Sequence, residues 1–165
     1  MKQLLFAILV SVFQLLGTGW AIGYVSGCFF TARLVARVGH IRAFSVMASF
    51  AAITILAQLL LIDVSAWIAL RAVSGFCFAG AAMIVESWLN DRAEPTTRGR
   101  IFGIYSMVNL AASTAGQMVI ALGDTSGFLF FALGAIFYRL ALIPTAISTS
   151  QTHAPLTTVR LELRA

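Results

Sequence analysis

Apolar residues fill five long stretches of this 165-residue chain, and short polar clusters separate them. The stretches run from Leu4 to Leu34, Ala43 to Ile62, Ala66 to Leu89, Ile101 to Leu122 and Phe128 to Ile147. Each approaches or exceeds the ~20 residues with which an α-helix crosses a bilayer. Lipid offers the backbone no hydrogen-bond partners, so a chain of such stretches must close its bonds within helices. The pattern predicts an all-α integral membrane protein with about five transmembrane helices. The first stretch is too long for one straight span and too short for two with a turn, and it reads as one long helix. Residues 1–147 then form the bundle. The polar remainder, Ser148 to Ala165 with Pro155 inside it, reads as a cytoplasmic linker or tail.

Polar residues inside the stretches fall at helical spacing. Gly19, Gly23 and Gly27 recur every fourth residue on the first helix, a spacing that lets a second backbone approach closely. On the third, Arg71, Gly75, Ala79, Ala82 and Glu86 share one stripe, because steps of three and four stay on one side of a helix. Arg71 lies roughly 9 Å inside the outer end of that helix. A charge there needs water, a partner or the interface. Two readings are open. Arg71 and Glu86 either snorkel to opposite interfaces, or their stripe faces a bundle interior or a wet cavity. The small residues between them favour the second. The fourth helix repeats the pattern with Tyr105, Asn109, Ser113 and Gly116, and Gln117 beside them. The second and fifth helices are nearly uniform and read as lipid-facing, with Arg139 reaching to the cytoplasmic interface on its long stem.

Composition fixes the class. Hydrophobic residues make up 60% and charged residues 10%, and the mean hydropathy is +0.94. Soluble domains carry about a quarter charged residues. The net charge of +5 is almost wholly arginine, and the arginines lie between apolar runs rather than on a basic face, which excludes nucleic acid as a partner. Arg33, Arg37, His40 and Arg42 flank the first connection, and Arg92, Arg98 and Arg100 the third. Arg160 and Arg164 lie in the tail, whereas Asp63 and Asp124 mark the alternate connections. Arginine-rich loops stay in the cytoplasm, so the N-terminus faces outward and the tail inward, in a multi-pass protein of the cell membrane. The opening MKQLLFAILV also has the basic start and apolar core of a signal peptide, but apolar residues continue to Phe30 without a small-residue cleavage site.

Familiar chemistry is missing from the pattern. Cys28 and Cys77 stand alone, without Cys-x-x-Cys or Cys/His spacing, and read as packing residues. No phosphate loop or nucleophile elbow occurs, so neither a cofactor nor a catalytic group is expected. His40 and His153 fall in predicted loops.

Three motifs give a resemblance. The chain from Gly23 to Ile147 resembles the N-terminal half of the major facilitator superfamily, over that family's second to sixth helices. The family's loop between its second and third helices reads approximately G-x-x-x-D-R-x-G-R-R. Here ARLVARVGHIR supplies Arg37 and Gly39, with Arg42 near the last basic position, while Ala32, Ala36 and His40 replace the first glycine, the aspartate and the first arginine after the turn. RAVSGFCFAGAA matches the family's R-x-x-x-G helix at Arg71, Gly75 and Gly80. NDRAEPTTRGR matches the next connection at Asp91, Pro95, Arg98 and Gly99. Gly116 is followed by Gln117 rather than proline, so the antiporter motif is poorly kept.

The resemblance implies part of a six-helix bundle and secondary transport of a small solute by alternating access. It implies a substrate or proton pathway that includes Arg71, with Gly75, Asn109, Ser113 and Gln117 lining it. Arg37, Gly39, Glu86, Asp91, Arg98 and Arg100 would belong to a cytoplasmic gate, with Glu86 poised toward Arg37 or Arg100. The partners implied are membrane lipid, the solute and the missing transporter half. A small membrane scaffold acting through Gly19, Gly23 and Gly27 is the rival reading, and an enzyme finds no support in the residues.

Overall fold

The computed structural model describes residues 2–123 and 127–147. The acidic connection at Asp124 and the tail from Ser148 to Ala165, with its Arg160 and Arg164, lie outside the described residues. Everything regular within them is helical. The order is α1 (Lys2–Val38), α2 (His40–Leu60), α3 (Val64–Arg92), α4 (Arg98–Leu122), α5 (Leu129–Leu140) and the short α6 (Ile143–Ile147). Among the described residues, four segments are long and apolar enough to cross a membrane: α1, α2, α3 and the stretch Leu129–Ile147. At 25 residues α4 has the length too, but it is more polar.

The connections follow from local chemistry. Gly39 ends α1 with φ 82° and ψ 165°, a conformation that a side chain would strain, and it is the one positive-φ residue among those described. The next residue already starts α2, so the chain reverses within a single glycine. Asp63 caps α3, its carboxylate accepting hydrogen bonds from the Ala66 backbone N–H at 2.9 Å and from the Ser65 hydroxyl. Between α3 and α4, Pro95 takes the second position of a turn in which the Glu94 carbonyl accepts from Thr97 and Arg98.

The fifth apolar stretch is not one helix. Pro144 has no N–H with which to bond the Leu140 carbonyl, and its ring would crowd that carbonyl in a continuous helix. The chain accordingly turns at Ala141 and Leu142 before α6 begins.

α3 stands at the centre. It packs extensively on α1 and on α2, and α2 carries α5 on its other side. The α1 and α3 contacts advance together along both helices, from Gly19 with Ile68 through Gly23 with Ala72 and Gly27 with Phe76 to Thr31 with Gly80, at offsets of about 50 residues. The two helices therefore run parallel, with α2 returning between their ends. α1 is 37 residues long, about 55 Å at 1.5 Å per residue, against an apolar core of about 30 Å. By the same register α3 begins level with Leu15, and the earlier turns of α1 extend beyond it with largely exposed apolar side chains.

One expectation about orientation changes. α2 is not a lipid-facing helix: Ala43, Met47, Ala51 and Thr54, with Ala48 and Ala52, are buried between α3 and α5. Small side chains produced both the uniform look in the sequence and the close packing. α4, read as an inner helix, buries no residue among those described and packs mainly on α3, lightly, so its polar face is open in this chain. The core lies where α2 and α3 meet, around Ala43, Met47, Ala51, Cys77 and Ile84, flanked by Leu34, Phe76 and Tyr138. The buried hydroxyls of Thr31 and Thr54 donate to carbonyls of their own helices, at 2.7 and 2.8 Å. No buried side-chain polar atom among the described residues is left without a partner, as an apolar surround requires.

Candidate functional site

Glycine sets the seam from which the site is built. A β-carbon on Gly19 would lie 2.9 Å from the Ile68 carbonyl oxygen, and one on Gly27 would lie 2.7 Å from that of Phe76. At Gly23 it would overlap the Ala72 backbone, and at Gly75 that of Trp20. The seam is reciprocal, with both helices giving up side chains so that their backbones touch, the arrangement by which helices associate in lipid.

The seam divides the stripe read from the third helix. Gly75 and Ala79 are buried against α1, whereas Arg71 and Glu86 are exposed. Residues three and four apart advance by 300° and 400°, so such a stripe is broad, and α1 covers only one edge of it. Arg71 makes no hydrogen bond, ion pair or ring contact among the described residues. Beside it, Trp20 and Tyr24 of α1 and Phe78 of α3 bring three rings together, with centroids 5.2, 5.9 and 6.4 Å apart. The sequence reading did not single these rings out. The four-residue spacing of Trp20 and Tyr24 was the available signal, but Phe78 enters only through the α1–α3 register.

On α4, Asn109, Ser113 and Gln117 are all exposed. The phenol of Tyr105 lies beside the Glu86 carboxylate and the Asn109 amide, so α3 and α4 meet through polar side chains at this level. Glu86 comes within ion-pair distance of neither Arg37 nor Arg100. Elsewhere α3 and α4 make little contact, and Arg71 and Phe78 are exposed.

At the other end the parallel register gathers the arginines. Arg37 closes α1 and Arg92 closes α3, so the first and third connections share one end of the bundle. His40 joins them: its Nε2 lies 3.2 Å from Ser87 Oγ and 3.8 Å from Asp91 Oδ2. Arg98 donates to the Asn90 carbonyl at 3.4 Å, and the Arg92 guanidinium sits over the Trp88 ring. Arg100 is exposed. The sequence named Asp91 and Arg98 for this end but took His40 for an ordinary loop histidine. The one contact of a basic side chain with a carboxylate among the described residues is His40 with Asp91, an ion pair only when the imidazole is protonated.

Neither of two apolar grooves reaches Arg71. One, about 420 Å³, runs between α2 and α5 along Ala52, Leu56, Ala135 and Ile136, and the other follows Ile22, Val25, Phe29 and Phe30 on α1. No metal-binding group of three or more His, Cys, Asp or Glu occurs among the described residues.

Sequence comparison places these features in a family. The profile of the Major Facilitator Superfamily matches residues 3–161. An "Uncharacterized MFS-type transporter" of Yersinia pestis (strain Pestoides F) is 28% identical over 115 residues, 64% of this chain and 30% of its own length. One of Yersinia enterocolitica is 26% identical over 137 residues, 78% of this chain and 35% of its own. The "Uncharacterized MFS-type transporter YcaD" of Escherichia coli O45:K1 is 32% identical over 112 residues, 62% of this chain and 29% of its own. The chain thus spans about a third of the length of these relatives. No solved structure matches. A profile match over nearly the whole chain, on a bundle of long apolar helices, makes this chain a multi-pass membrane protein of the major facilitator superfamily.

Proposed function

We propose that this chain is the α1–α5 part of a secondary transporter that carries a small solute by alternating access, with the Arg71 side of α3 lining the solute pathway. The observation that carries this reading is Arg71 itself. An arginine seven residues into an apolar helix is exposed and unpartnered, and lipid alone makes such a placement costly. Gly75 holds α1 beside it, and Asn109, Ser113 and Gln117 of α4 supply amides and a hydroxyl that need a wet or protein-lined surround. The remaining helices of a complete transporter, as partner half, would close the pathway and contribute the other side of the midplane site.

The arginine-rich end is the cytoplasmic one in this reading, by the charge rule for loops. There Arg37, Gly39, Glu86, Asp91, Arg98 and Arg100 form the inner gate region, with His40 and Ser87 added to it. No step of catalysis is assigned. The scaffold reading loses its feature, because Gly19, Gly23 and Gly27 already pack on α3 of the same chain.

Solute uptake at matched protein levels tests the proposal in membranes that carry this chain together with the rest of the transporter. Arg71→Ala should abolish uptake without lowering the amount of inserted protein. Arg71→Lys should restore it only in part, because an ammonium lacks the planar fork of donors. Wild-type uptake by the alanine variant would remove Arg71 from the pathway.

A further inference from the structure

We infer that the Arg71 face receives a small anion bearing an aromatic ring, with Trp20, Tyr24 and Phe78 as the ring-binding side. This deepens the transporter reading and rests on it. The three rings come from two helices, and their planes are inclined at 32°, 48° and 37°, which leaves faces and edges rather than one closed stack. Phe78 remains 44% exposed, so the cluster is not a sealed core. Seven residues separate Arg71 from Phe78, which returns the helix to within about 20° of the same side and about 10 Å further along. On the α1–α3 seam Gly75, one turn beyond Arg71, meets the backbone of Trp20 and Tyr24, so Arg71 lies near the Trp20 end of the ring cluster. Cation and rings thus share one open surface.

Among the described residues Arg71 makes no contact with a carboxylate or a ring, and unlike the other free arginines Arg37, Arg42 and Arg100 it lies well inside a membrane-length helix rather than at a connection. Arg33 lies over the ring of Phe30 at 5.7 Å, and Arg92 over that of Trp88 at 5.1 Å. Arg71 lies over no ring, so its guanidinium is left to a ligand. Glu86 stands about 22 Å away along α3, well beyond a Debye length at physiological salt, and does not neutralise it. A guanidinium offers two parallel N–H donors to a carboxylate. Tilted rings about 10 Å on offer an offset or edge-to-face stack to an aromatic group on the same molecule. A cation would be repelled by the same face, and a saturated acid would lose the stack.

Binding to the full chain in lipid nanodiscs tests this, with 1-naphthoate as probe and cyclohexanecarboxylate and 1-naphthylmethylammonium as controls, read by isothermal titration. Naphthoate should bind saturably and more tightly than either control. Arg71→Gln should weaken it about tenfold or more, as loss of a charge-assisted pair does. Phe78→Leu, which keeps an apolar side chain, should weaken it about threefold to tenfold while leaving cyclohexanecarboxylate unchanged. Circular dichroism of each variant confirms that the helices form. Equal binding of the ammonium probe, or naphthoate binding indifferent to both substitutions, overturns the assignment. So does an absence of naphthoate binding; if uptake still depends on Arg71, only the solute class falls, and the pathway reading stands.

Discussion

Gly23 of α1 and Ala72 of α3 meet backbone to backbone, with no room for a β-carbon between them. That contact fixes the parallel register of the two helices and, through it, brings Arg37 and Arg92 to one end. Gly23→Leu should separate the helices and prevent a stable bundle. Gly23→Ala should destabilise by about 1–3 kcal/mol, the usual cost of overpacking. Gly17→Ala and Gly116→Ala meet nothing within 4 Å and should be neutral. Thermal unfolding in detergent, followed by size-exclusion profile, separates the two classes.

The His40 contact ties the start of α2 to the end of α3. Both side chains are partly exposed, 22% for His40 and 60% for Asp91, so solvent and salt screen the pair. A double-mutant cycle of His40→Ala and Asp91→Ala should return a coupling of about 0.2–1 kcal/mol that shrinks in high salt. Strict additivity at low salt would show that the two residues act independently.

Asp63 gives a pH dependence with a definite sign. The Ser65 hydroxyl and the Ala66 N–H hold its carboxyl below the usual value of 3.8. A depressed carboxylate stabilises the folded state above its unfolded pKa, and that contribution is lost as pH falls through the folded value. Asp63→Ala should therefore lower stability at neutral pH and show a shallower loss than wild type between pH 5 and 2, the range of this titration. Parallel wild-type and variant curves would remove the cap from the stability of α3.

The topology can be read by labelling. Cysteine at Arg98 should react only from the cytoplasmic side, and cysteine at Asp63 only from outside. The described connections already put them at opposite ends of α3, so reversed labelling would invert the orientation while keeping the fold.

The fold was legible where composition and period speak plainly. The long apolar runs marked the helices, and the fourfold spacing of Gly19, Gly23 and Gly27 marked a packing face, though not which helix would meet it. Pro144 was overlooked as a breaker because the residues around it remain apolar. α2 misled for a related reason: alanine is small enough to be buried and apolar enough to look lipid-facing, and only neighbours decide between the two. The site was half visible. Arg71 stands out by its charge in an apolar setting, and Asp91 by its place in the NDRAEPTTRGR connection. Trp20, Tyr24 and Phe78 do not, because aromatic residues are ordinary in membrane helices and the cluster exists only through the register of α1 on α3. His40 likewise acquires its partners from α3, 47 residues away from Ser87.

Water access to one position of α3 is the most direct test of the pathway. In a background with Cys28 and Cys77 replaced, Arg71→Cys and Val73→Cys each place one thiol on α3. Val73, only partly exposed, lies away from Phe78 on the side of the helix that Cys77 and Ile84 turn toward α2, where no water path is expected. A charged, membrane-impermeant methanethiosulfonate reagent added from outside should modify the cysteine at 71 rapidly and leave the one at 73 untouched. Equal reactivity at the two positions, or none at 71, would contradict a hydrated pathway along the Arg71 face.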